Sequence, residues 1–213
     1  METIAKKQYL LILLTAFIGL PLVIWVLGVY PVRTVLKETI SVITILAYFM
    51  MVAQFFLSRA NSGMTSIYRF KNILKWHKFI GYFFVGVFVL HPLLIVVPRF
   101  FESGILPQDA FWKLITTFET TGQIVGLIAY ILMFVLGATS VFRDKLGIKY
   151  KTWKYLHGVL SVLFIILATW HAVDMGRHTQ KATVFWMVFL AFLGTVMLLK
   201  TYIPRKELKH EVK

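Results

Sequence analysis

Residues 76–92 read WHKFIGYFFVGVFVLHP, and residues 153–171 read WKYLHGVLSVLFIILATWH. Each stretch is an apolar run carrying two histidines, His77 and His91 in the first, His157 and His171 in the second. In both, the histidines stand fourteen residues apart. An α-helix turns about 100° per residue, so fourteen residues end about 40° short of four full turns and rise about 21 Å. Each pair therefore shares one helix face, one histidine near each end of a run long enough to cross the roughly 30 Å of a bilayer's hydrocarbon.

The rest of the chain has the same character. Of its 213 residues 59% are hydrophobic and only 15% charged, with a mean hydropathy of +0.77, well beyond the roughly 45–50% apolar share of a soluble domain. Six apolar spans are expected near residues 9–30, 39–57, 79–97, 122–142, 158–173 and 182–203. The fold class is an all-α membrane protein, a six-transmembrane-helix bundle forming one domain over residues 1–213. The first span follows Lys6 and Lys7, but its apolar run is too long for a signal peptide and lacks a small-residue cleavage site. Gly19 and Pro21 are expected to bend it.

The net charge of +14 does not mark a nucleic-acid binder, because the cations sit in short connections and tails and not along one helix or arm. They follow topology instead. With the N-terminus cytoplasmic, that side holds Lys6, Lys7, the cations of residues 59–78 and 143–154, and those of the C-terminal tail. Only Arg33, Lys37, Arg99, Lys113, Arg177 and Lys181, of 23 Lys and Arg, fall opposite. Both termini are thus expected in the cytoplasm and the protein in the cell inner (plasma) membrane. The third and fifth spans then run in the same direction. Side by side, His77 faces His157 in the inner leaflet and His91 faces His171 in the outer one.

Ionisable side chains inside a membrane are costly and pair with something. The plain alternative is four polar residues hydrogen-bonded between helices, which packing alone does not place at matched spacing on two helices. The chain has no cysteine, which excludes disulfides, Fe–S clusters, thiol nucleophiles and thioether-linked haem. Two histidines per level make a poor zinc site, since zinc takes three or four protein ligands. Haem iron takes two axial ligands, which suits histidines on facing helices. Phe84 and Phe164 each lie seven residues from both histidines of their own span. They are read either as ordinary core aromatics or as rings packed between two porphyrins. Cations for the propionates are available inside (Arg69, Lys75, Lys78, Lys151, Lys154) and outside (Arg99, Arg177, Lys181). His178 and His210 are expected to be solvated bystanders, one in an outer loop and one in the C-terminal tail.

The motifs Trp76-His77-Lys78 to His91-Pro92 and Trp153-Lys154-Tyr155-Leu156-His157-Gly158 to Trp170-His171 resemble the ferric reductase-like transmembrane domain. That superfamily includes ferric-chelate reductases, NADPH oxidases and the haem-binding membrane subunit of the bacterial methionine-sulfoxide reductase system. The resemblance covers the six-span core, and its specific part is the double histidine pairing. It implies two b haems, one on His77 and His157 and one on His91 and His171, with electrons entering on the cytoplasmic side. Some stand-alone members of the sulfoxide-reductase branch lack the inner histidine of the third span; here His77 is present. No Gly-rich nucleotide fingerprint follows a strand, so no flavin or nicotinamide domain is expected. FAD or FMN would then belong to a partner protein.

The expected function is transmembrane electron transfer from a cytoplasmic flavin reductase or quinol to an outer acceptor: a ferric chelate, oxygen or a partner reductase. One alternative is a cytochrome b anchor exchanging electrons between quinone and an extracytoplasmic oxidoreductase. Another is a haem-free membrane protein with structural histidines. No residue of this chain is assigned a catalytic role. The loop from Pro98 to Gln123, with Phe101, Phe111, Trp112, Glu102, Asp109 and Glu119, is either an outer docking surface or a short interfacial helix with aromatic anchors.

Overall fold

The computed structural model describes residues 2–203. Among them there is no strand, and six helical segments are long and apolar enough to cross a membrane. The first is built from α1 (Glu2–Leu14), a π-helical turn (Thr15–Gly19) and α2 (Leu20–Leu27). Pro21 lacks the N–H that would bond the Phe17 carbonyl, and the ladder widens just ahead of it, with the Leu20 N–H bonding Thr15. A proline and a π-bulge together account for the expected bend.

The remaining helices are α3 (Val35–Phe56), α4 (Ser62–Ile67), α5 (Phe70–Val96), α6 (Pro107–Thr116), α7 (Thr121–Val141), α8 (Tyr150–Met175) and α9 (Lys181–Lys200). Helices α5 and α8 start well before the apolar spans at 79 and 158. Their first turns carry Lys71, Lys75 and Lys78, and Lys151 and Lys154. Lysine is a good helix former whose stem lies along apolar surface while its ammonium reaches water, so the helix runs on past the hydropathy boundary. His77 and His157 are thereby held on regular helix. Pro92 lies inside α5 without ending it.

Helix α3 is the hub. Phe49 and Val52 are fully buried there, packed with Phe17 of the π-turn, Ile165 of α8, and Met187 and Leu190 of α9. A second cluster lies between α5, α7 and α8, with Met51, Met133 and Phe164 buried and Phe84, Phe88 and Tyr130 against them. The outward faces stay apolar, for example Phe185 and Phe192 at 66% exposure each, as lipid requires.

Three hydrogen bonds place the chain's ends. Tyr68 donates to the Lys6 carbonyl at 2.7 Å, Tyr9 to Asn61 at 2.8 Å, and Tyr202 to the Lys154 carbonyl at 3.0 Å. The start of α1 and the end of α9 thus lie on the side of the bundle where α5 and α8 begin.

The loop after α5 holds α6, a ten-residue helix with no buried residue. Phe101, Trp112, Ile115 and Phe118 are exposed. Glu102 is tied to Lys37 at the start of α3 by a 2.6 Å ion pair. Exposed aromatics on a short helix are compatible with both readings of residues 98–123.

Candidate functional site

Helices α5 and α8 do not pack backbone against backbone; α5 lies on α3, and α8 lies on α7. Their histidines reach across the intervening space in two pairs. The rings of His77 and His157 have centroids 6.4 Å apart at an interplanar angle of 59°. Those of His91 and His171 also lie 6.4 Å apart, at 84°. Two hydrogen-bonded imidazoles would stand closer, at about 5 Å between ring centres for an ordinary donor–acceptor distance. Two imidazoles ligating one metal from opposite sides, at about 2.0–2.1 Å per bond, hold their centres about 6.3–6.5 Å apart. Both pairs have the second separation.

The remaining ring nitrogens are placed unequally. His171 Nδ1 lies 2.9 Å from the Gly122 carbonyl, which fixes that nitrogen as the N–H donor and leaves Nε2 to ligate. The Nδ1 atoms of His91 and His157 are buried with no hydrogen-bond partner, and the His77 ring lies close to the Gln54 and Leu57 backbone carbonyls. All four rings are half-buried. At 6.4 Å the facing rings are too far apart to hydrogen-bond each other, and the separation fits two imidazoles on one metal. Among the described residues no group of three His, Asp or Glu side chains converges; each level brings together two imidazoles.

The supporting shell is local. A Cβ on Gly126 would come within 2.3 Å of His171 Nδ1, and one on Gly122 within 2.3 Å of Asp174. Only glycine allows the α7 backbone so close to α8, and this approach brings the Gly122 carbonyl to the imidazole. At the other level, Trp153 stacks on His157 with centroids 5.0 Å apart at 26°. Its Nε1 donates to the Thr139 carbonyl at 2.9 Å, locking the indole between α7 and α8. Between the levels, Phe164 is buried and Phe84 packs in the same cluster, where Tyr130 donates to the Val89 carbonyl at 3.0 Å. The two phenylalanines thus lie in an apolar layer separating the histidine pairs.

Gly122 and Gly126 were not singled out in the sequence, and Trp153 entered only as part of the motif ahead of His157. The available signal was a Gly-x-x-x-Gly opening α7 and a tryptophan one turn before His157. Gln54 also escaped notice: its side-chain oxygen is buried without a partner and lies 3.6 Å from where a Gly81 Cβ would be, one turn from His77.

His178 is not a solvated bystander. It is 3% exposed, its Nε2 lies 3.1 Å from Glu38, and its ring meets Tyr30 edge-on at 4.2 Å. Arg177 and Gln180 bond the Pro31 and Val29 carbonyls, so the α8–α9 connection folds down over the α2–α3 connection and covers the imidazole. Burial lowers the His178 pKa; Glu38 opposes this in part, while Arg33 and Arg177 add to it. His210 lies outside the described residues. Of the outer cations considered for propionates, Arg177 is engaged by the Pro31 carbonyl at 3.3 Å.

Comparison with known proteins agrees with this geometry. The family described as ferric reductase like transmembrane component matches residues 43–168, which run from α3 into α8 and include all four histidines except His171. The chain is also similar to an uncharacterized protein of Archaeoglobus fulgidus, 40% identical over 161 residues covering 75% of this chain and 87% of that protein. No solved structure matches. The chain is a multi-pass membrane protein that belongs to the ferric reductase-like transmembrane component family.

Proposed function

We propose that this protein carries electrons across the membrane through two b-type haems, one held by His77 and His157 and the other by His91 and His171. The observation that carries the reading is the repetition of one separation, 6.4 Å between imidazole centroids, at two levels of the same two helices. Imidazoles hydrogen-bonded to each other would not account for that separation.

Bound haem with both axial positions filled supplies a one-electron centre and no open site for ligand chemistry. The chain's own residues do the rest. Gly122 holds the His171 ring at a fixed tautomer and angle, which also raises its basicity as a ligand. Trp153 holds His157 by stacking, and the Phe84–Phe164 layer keeps the middle of the bundle apolar. By the distribution of its cations, the side bearing His77 and His157 faces the cytoplasm. An electron moving outward across an inside-negative membrane gains about 2.3 kcal/mol per 100 mV. The donor is a cytoplasmic flavoprotein or a quinol, and the acceptor lies outside.

The test is purification in mild detergent with haem supplied during expression, followed by oxidised and reduced spectra and a haem-to-protein ratio. Two low-spin haems per chain are expected. His77→Ala and His157→Ala should remove the same haem, and His91→Ala and His171→Ala the other. A folded, colourless protein refutes the reading.

A further inference from the structure

One aromatic array in the structure runs beyond the ligand cage. From His157 it continues through Trp153 to Tyr150, whose ring stacks on the indole with centroids 5.8 Å apart at 27°. Tyr150 is 52% exposed, so three stacked rings lead from the inner histidine pair to the surface. Around the outer end of this stack every residue from 141 to 152 is exposed. Arg143 lies over both rings, 5.4 Å from Tyr150 and 5.5 Å from Trp153. Lys145, Lys149 and Lys151 complete a cationic rim in which the single acid, Asp144, is held by Arg143 at 2.8 Å. Exposed Phe142, Leu146 and Ile148 lie between the charges. Lysines are enough for a topology signal; apolar side chains among them and a stack reaching a buried imidazole are not explained by topology.

We infer that the connection between α7 and α8 is the docking surface of an acidic electron-donor protein, and that the Tyr150–Trp153–His157 stack is the path by which its electron reaches the inner histidine pair. This rests on the electron-transfer reading above. The occupant is an acidic protein and not a lipid surface, because lipid phosphates would satisfy the lysines but have no use for a conducting stack. The donor gives up one electron, the inner centre gains it, and no bond or proton changes place. The rim steers association, which for complementary charges raises on-rates by about 10- to 1,000-fold and falls with salt. The stack acts after docking, within the complex.

The experiment is stopped-flow reduction of the haem-loaded protein in detergent by flavodoxin hydroquinone, an acidic one-electron donor, with the methyl viologen radical cation as comparator. Lys145→Glu, Lys149→Glu and Lys151→Glu are combined in one variant, which should fold because acidic residues suit the start of α8. The second-order rate with flavodoxin should fall at least about tenfold at low salt and lose most of its salt dependence. The rate with methyl viologen should not fall. Tyr150→Ala, at an exposed position, should leave association intact and slow transfer at saturating flavodoxin, with haem content and spectra unchanged. A haem-loaded protein reduced by flavodoxin at a rate indifferent to both changes overturns the docking surface alone. A preparation that binds no haem overturns the electron-transfer reading, and this inference with it.

Discussion

Gly126→Ala adds one methyl group at the place where the outer ligand is seated. The new Cβ would lie 2.3 Å from His171 Nδ1 and 2.6 Å from Cε1, where ordinary van der Waals contact begins near 3.4 Å. Relief requires the imidazole to withdraw by about 1 Å, whereas metal–ligand bonds tolerate about 0.2 Å. Withdrawal also breaks the 2.9 Å contact with the Gly122 carbonyl, worth about 1 kcal/mol as a hydrogen bond and about 10- to 100-fold in metal affinity when such a support is lost. Overpacking adds about 1–3 kcal/mol of strain. The expected product is a folded protein with one haem in place of two, the remaining one with the spectrum that survives in His91→Ala. Gly137→Ala is the control, on the same helix with nothing within 4 Å of the added carbon; it should keep both haems. The assay is haem content by pyridine haemochromogen against protein, with low-temperature spectra to assign the survivor. If Gly126→Ala binds two haems with unaltered spectra, the seat formed by α7 is not what positions His171, and the reasoning from its close approach fails.

Two further outcomes follow from the outer face. His178 has a pKa lowered chiefly by burial, so the unfolded chain, with histidine near 6.5, binds its proton first; stability of the clasp is full above about pH 6.5 and is lost as pH falls from there toward the lower folded value. The hydrogen-exchange protection factor at residues 176–180, taken relative to the intrinsic rate at each pH, should fall between pH 7.5 and 5.5, more steeply in Glu38→Gln and not at all in a His178→Phe variant; a pH-independent protection factor in the native protein rejects the clasp. Helix α6, with Trp112 60% exposed, should lie in the headgroup layer, so brominated lipids should quench Trp112 in a variant retaining it as the single tryptophan of the protein, and emission typical of water with no quenching would place the helix away from the membrane.

What the sequence made legible was whatever repeats along a single helix. Apolar run length is a local quantity, so six crossing helices follow from composition. The spacing of His77 from His91 and of His157 from His171 is periodic, so the shared faces follow from helix geometry alone. The helix starts at Phe70 and Tyr150 were missed because hydropathy marks where the hydrocarbon ends, and a lysine-bearing helix continues into the headgroups. Gly126 matters only through what lies on the neighbouring helix, which no single-helix pattern reports, whereas Trp153 stacks on His157 one turn along its own helix. The burial of His178 is more remote still. It depends on the α8–α9 connection meeting the α2–α3 connection through Arg177 and Gln180, contacts between residues more than a hundred positions apart in the chain.

The architecture also bears on why four histidines are divided between only two helices. Helix α5 is carried by α3, and α8 by α7, while the apolar layer around Phe84, Met133 and Phe164 joins the two sides at mid-membrane. Above and below that layer the imidazoles span the space, 6.4 Å from centre to centre. In a membrane, burying more apolar surface gains little, because lipid tails are as apolar as leucine; association relies on packing and specific polar bonds. If the proposed haems are bound, ligand bonds to a shared metal would supply that specificity, and binding free energy would become assembly free energy. The histidine pairs would then also fasten the bundle. Loss of either pair should loosen chiefly its own leaflet, since the layer between them is packed from its own apolar side chains.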